Sequence, residues 1–261
     1  MLGFRLAYAV RGLTHLACSA MAWPMYDLRP VGYVTGLLLT ALGVAMLFPL
    51  ATDLLLDTGN EWAFFETAAI TAMVGILTSM ACSNGVEQRL SIQQTFLMAV
   101  GVWLLLPAFG ALPFWMGATK ASYIDALFES MSGLTTTGAT VFVGLDQMPA
   151  GLLLWRSMLQ WFGGIGIIVV AMVFLPELRV GGMQIFRTES FDTDGKVLPR
   201  AAQIAARISG AYFILTVVCY IAYLAAGLPS FHAANHALTT VATGGFSTYD
   251  ASFGAFKGAP E

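Results

Sequence analysis

Three threonines and a glycine run together in SGLTTTGATVF, residues 132–142, between two long apolar stretches. Written as extended chain, Thr136, Thr137 and Gly138 offer successive carbonyl oxygens with threonine hydroxyls alongside. A ladder of uncharged oxygens of this kind can replace the hydration shell of an alkali cation. Glycine adds the freedom to turn its carbonyl without a Cβ clash. A related segment, ATGGFSTYD, occupies 242–250. Superposing Gly138 on Gly244 gives an offset of 106 residues and lays Thr137 over Thr243, so the second ladder reads Ala242, Thr243, Gly244. The plainer alternative is that each run is a turn between helices. Recurrence at two places favours the ladder.

Each ladder must be positioned by what precedes it. Ile124, Leu127, Phe128 and Met131 recur at helical spacing, with Ser122 as an N-cap, so 122–134 reads as a helix too short to cross a bilayer. Asp125 and Glu129 share one of its faces. They could raise the cation concentration at an outer mouth, or hydrogen-bond the loop from behind. Before the second ladder, His232 and His236 stand four apart, but Ala233 occupies the place where a zinc hydrolase needs its glutamate. Polar positions on a second short helix fit them better than a metal site. In WFGGIGI, 161–167, three glycines lie inside an apolar run, the pattern of close helix packing; the spacing is wrong for a dinucleotide fingerprint.

The rest of the chain is a membrane sequence. Of 261 residues, 57% are hydrophobic and 10% charged, with mean hydropathy +0.75, against about 25% charged in soluble domains. The net charge is −3 and no basic face for nucleic acid is visible. Cys18, Cys82 and Cys219 are scattered and odd in number, which suits small apolar residues rather than a disulfide framework. Five apolar segments, Val31–Leu50, Trp62–Cys82, Ile92–Trp115, Leu152–Leu175 and Ile204–Leu228, are long enough to span about 30 Å of hydrocarbon as helix. The first ends in an acidic patch, Asp53, Asp57 and Glu61. Arginines and lysines gather before the first span, at Arg89, and between Arg179 and Arg207, so the N-terminus and those links are expected in the cytoplasm. Lys120 and Arg156 dissent. Both short helices and both ladders then face outward, as half-helices that dip in and return as extended chain. Residues 1–24, broken by Arg11 and His15, read as a signal peptide, an interfacial helix or sequence upstream of a start at Met25, and are expected to be dispensable.

At this point the residues resemble a known family. ALPFW, DALFESMSGLTTTGAT, LQWFGGIGIIVVAM, VGGMQIFRTES and ATGGFSTYDAS are similar to the Trk/Ktr potassium uptake proteins, in the same order, from about Leu28 onward. The resemblance implies an all-α integral membrane protein with two leading helices and helix–pore loop–helix repeats around one potassium path. This chain would hold about five transmembrane helices and two re-entrant pore loops. It divides into an extension (1–27), a leading pair (28–90), a first repeat (91–180), a cytoplasmic link (181–200) and a second repeat cut after its filter (201–261). The family filter centres on a glycine, mapped here to Gly138 and Gly244, with Thr136, Thr137, Ala242 and Thr243 supplying oxygens. No cofactor is implied beyond the transported potassium. A homodimer in the bacterial inner membrane with a cytosolic nucleotide-binding regulatory subunit is implied. Four repeats are expected in the family and fewer than two are present, so the chain reads as a fragment of a longer protein. Potassium uptake, not catalysis, is the expected function; a non-transporting membrane scaffold is the alternative.

Overall fold

The computed structural model describes residues 27–85, 91–177 and 197–256. Among these the fold is helical, without strands. Nine α-helices follow in order: α1 (Arg29–Ala45), α2 (Leu47–Leu56), α3 (Glu61–Ala81), α4 (Ile92–Gly110), α5 (Leu112–Met116), α6 (Tyr123–Leu134), α7 (Ala150–Glu177), α8 (Val197–Ala225) and α9 (Ser230–Val241). Among the described residues four stretches are long and apolar enough to cross a membrane: Arg29–Leu56, Glu61–Ala81, Gln93–Met116 and Ala206–Ala225. Helix is the form such segments must take, because hydrocarbon offers no partner for an exposed backbone N–H or C=O. The expected fourth span, Leu152–Leu175, falls within the 28 residues of α7, long enough to cross although it is not among those four.

The boundaries have local causes. Pro49 has no N–H for the Ala45 carbonyl, and the first span breaks at Met46 before resuming as α2. Pro113 likewise sits at the start of α5, after a break at Ala111. Helix α4 starts with a full capping box, in which Ser91 Oγ accepts from the Gln94 N–H and Gln94 Oε1 accepts from the Ser91 N–H. The last span begins at Val197 and ends at Ala225, so it takes in the end of the expected link 181–200; residues 178–196 and the extension 1–26 lie outside the described residues.

Helices α1 and α3 form an antiparallel pair whose backbones touch: a Cβ on Gly36 would sit 2.6 Å from the Ser79 nitrogen. This leading pair joins the first repeat through a core of Met46, Phe64, Phe114, Leu152, Trp155 and Leu159, all buried. The Trp155 indole donates to the Gly110 carbonyl at 2.9 Å and meets Phe64 edge-on.

One expectation is corrected here. Asp53 does not belong to an acidic surface loop. The helix continues to Leu56, and the Asp53 side chain is fully buried, with Oδ1 accepting the Gly151 N–H at 2.6 Å in the first turn of α7. The Thr58 hydroxyl donates to the same oxygen. An anion suits that position, since the free N–H groups and dipole of a helix N-terminus favour negative charge. The leading pair thus caps the helix that backs the Thr-Gly segments. Replacing Asp53 with Ala should lower stability by about 1–2 kcal/mol, as loss of a helix cap does, while Asp146→Ala, on an exposed side chain, should leave it within about 0.5 kcal/mol. Thermal unfolding of the two purified variants in detergent checks this.

Candidate functional site

Helices α6 and α9 are both 12 residues long. Their starts, Tyr123 and Ser230, and their ends, Leu134 and Val241, are each displaced by 107 residues. Ser122 caps α6, its Oγ accepting the Asp125 N–H at 3.2 Å and donating to Asp125 Oδ2 at 2.7 Å. Both helices end in the same way. The Thr136 N–H donates to the Gly133 carbonyl and the Thr137 N–H to Ser132, each at 2.9 Å; in the second copy Thr243 donates to Thr240 and Gly244 to Thr239, also at 2.9 Å. This crossed pair of bonds is the Schellman stop, which needs a left-handed residue at its centre and most often uses glycine. Here that residue is threonine both times, Thr136 at φ 55° and Thr243 at φ 54°. A β-branched residue is a genuine outlier there, and such strain, about 1–3 kcal/mol, persists only where the surroundings enforce it. Two residues on, Gly138 and Gly245 again have positive φ, 78° and 79°.

The backbone therefore corrects the register of the duplication. Thr136 matches Thr243, Thr137 matches Gly244 and Gly138 matches Gly245, at an offset of 107 rather than 106. Ala242 falls back to the helix C-cap, opposite Thr135. The doublet Gly244-Gly245 offered two anchors to the sequence, and only the chain's conformation chooses between them.

The two segments touch. A Cβ on Gly138 would collide with the Gly244 carbonyl oxygen, so the position excludes any side chain on contact as well as on φ. Behind them runs α7. A Cβ at Gly163 would collide with the Leu134 carbonyl, and one at Gly164 with the Tyr212 hydroxyl, so WFGGIGI is indeed a close-packing surface, used on both sides. Arg156, 1% exposed, ties the segments together: Nε donates to Glu129 Oε1 at 2.7 Å, one terminal nitrogen to the Thr140 hydroxyl at 3.2 Å, the other to the Ser247 carbonyl at 2.9 Å. Its guanidinium also lies 4.2 Å from the Phe246 ring centre. Glu129, fully buried, accepts from the Thr140 hydroxyl at 2.8 Å and the Val141 N–H at 3.0 Å. Gln160 Oε1 accepts the Phe246 N–H at 3.1 Å. Asp250 closes the outer edge, accepting the Gly144 and Leu145 N–H groups at 2.8 and 3.1 Å.

Of the two roles open to the acidic pair, Glu129 has the geometry of support behind the segment, while Asp125 is exposed and accepts from the hydroxyl of the capping Ser122. His232 bonds the Thr248 hydroxyl at 2.8 Å and the Tyr249 hydroxyl at 3.2 Å, and His236 is buried against Phe253. Among the described residues no three His, Cys, Asp or Glu side chains gather as metal ligands. Cys82 and Cys219 are free thiols, partly buried; Cys18 lies outside the described residues. Sequence reasoning missed Arg156, Gln160 and Asp250. Arg156 had a signal: an arginine within an apolar run faces a partner, not lipid, and it was counted only as an exception to charge asymmetry.

A family model described as TrkH, cation transport protein, matches residues 60–260. The chain belongs to this family. It is 43% identical over 236 residues to the Trk system potassium uptake protein TrkH of Halomonas elongata, covering 89% of this chain and 49% of that one. Against TrkH of Escherichia coli K12 it is 42% identical, with coverage of 87% and 48%. The crystal structure of the potassium transporter TrkH from Vibrio parahaemolyticus superposes with a TM-score of 0.78 at 38% identity, over 89% of this chain and 47% of that one. The chain spans about half the length of the curated relatives it matches. Membership in the TrkH family and four apolar helices make it a membrane protein.

The buried ion pair permits a quantitative check. Arg156→Met leaves the Glu129 carboxylate buried without its cation, and should destabilise by about 3–5 kcal/mol. The double replacement Glu129→Met with Arg156→Met should cost clearly less than either single one. A double-mutant cycle on thermal unfolding measures it.

Proposed function

We propose that this chain supplies two walls of a potassium-uptake pore in the bacterial inner membrane. The carbonyls of Thr136, Thr137 and Gly138, with those of Thr243, Gly244 and Gly245, would contact the ion in place of its water. The observation that carries this is the duplicated Schellman stop, with strained threonine at its centre each time and the two segments in contact at Gly138 and Gly244. A turn that merely joined helices would use glycine at the left-handed position, at no cost. Potassium as the ion is supported by the relatives, which are Trk system potassium uptake proteins.

In this reading α6 and α9 are re-entrant pore helices with their ladders on the outer side, and the N-terminus is cytoplasmic. Extended backbone at membrane depth is tolerable only when covered by protein or lining a watery path. Helix α7 provides that cover on one side. Apart from the adjoining residues, no described atom lies within 4 Å of a Cβ placed on Gly245, which leaves room there for a further loop to meet it as Gly244 meets Gly138. Two more loops would close a fourfold ring. The working assembly would be a homodimer with a cytosolic nucleotide-binding subunit that gates it.

Gly138→Ala and Gly245→Ala, each in the full-length protein, should cut rubidium uptake into proteoliposomes at least tenfold. Ala242→Gly, at the C-cap, should change it less than twofold. Normal uptake by the Gly138 and Gly245 variants would remove the ladder from the ion path.

A further inference from the structure

Gln160, on α7, places its side-chain amide against both segments at Gly138 and Gly244. It is fully buried. Its Oε1 holds the Phe246 N–H. Its carboxamide lies flat against Gly244, so close that a Cβ there would overlap it. Its Nε2 would lie 3.7 Å from a Cβ on Gly138 and, among the described residues, has no hydrogen-bond partner. A buried amide donor left unpaired costs about 1–3 kcal/mol, and the backbone of Gly138 and Gly244 lies on that side. Arg156, one turn earlier on the same face, holds the outer parts, Thr140 and Ser247, but does not touch the glycines.

We propose that Gln160 is a specificity-determining residue for cation passage, acting by fixing the spacing between the two glycine segments. This rests on the filter reading above and goes beyond it. Discrimination between potassium and sodium needs carbonyls held at a distance, or at least stiffly enough to resist closing on the smaller ion. The Oε1 bond anchors the second segment. The amide plane, wedged against Gly244, keeps that segment from sliding back, and the free Nε2 donor stands ready for a carbonyl that rotates away from the ion. Gln160 touches no ion in this scheme; it positions the backbone that does.

The test uses the full-length protein in proteoliposomes, with rubidium and sodium flux measured in parallel. Gln160→Met keeps length and packing but loses both polar groups. Gln160→Glu keeps the acceptor for Phe246 and removes the donor. Both should lower the rubidium-to-sodium flux ratio, by roughly fivefold for Met, the scale of one hydrogen bond, and by less for Glu. Unfolding temperature, measured alongside, should stay within a few degrees of the parent, which separates lost selectivity from lost structure. An unchanged ratio in either variant would overturn the proposal, as would failure of both to accumulate in the membrane, since Gln160 would then act in folding. If Gly138→Ala abolishes flux while the Gln160 variants keep the parental ratio, only this inference fails. If Gly138→Ala transports normally, the filter reading fails as well.

Discussion

A guanidinium buried in an apolar helix has to be answered, and the answer at Arg156 organises the molecule. Its Nε donates to Glu129 on α6, and its two terminal nitrogens to Thr140 of the first segment and Ser247 of the second. Removing the charge from water is expensive, and the pair repays that cost only if the geometry is held. So the two segments cannot move independently of α7 or of each other. Glycines at 163 and 164 then let α7 approach the end of α6 and the start of the second segment as closely as Arg156 requires. Asp53 fixes the other end of that helix to the leading pair. Each piece is ordinary helix-terminus or ion-pair chemistry. Together they hold this non-helical backbone in place.

The strain at Thr136 and Thr243 makes sense only inside this frame. An isolated helix would end on glycine or fray. Here the left-handed threonine turns the chain out of the helix, and the crossed bonds to the preceding turn hold it there. The same costly conformation recurs at the same place in both copies.

Much of this was legible in the sequence. Apolar length announced the spans, helical spacing with Ser122 announced α6, and the repeated Thr-Gly run announced the duplication. What the sequence could not show was tied to contacts distant along the chain. The register slipped by one because Gly244 and Gly245 are equal in letters and differ only in φ. Asp53 looked like a surface acid because its partner, Gly151, lies 98 residues away. Gln160 is unremarkable in its run and gains meaning only from Phe246 and Gly244, 86 and 84 residues further on. Local rules find helices and caps; they do not find what a buried amide faces.

In the proposed pore, backbone oxygens of both segments contact one cation, in the register that pairs Gly138 with Gly245. Anomalous diffraction from crystals of the full-length protein grown in rubidium or thallium tests it most directly. A peak is expected on the axis between the carbonyls of Thr136–Gly138 and Thr243–Gly245. A peak centred instead on Ala242, or cation density only outside these segments, would contradict it.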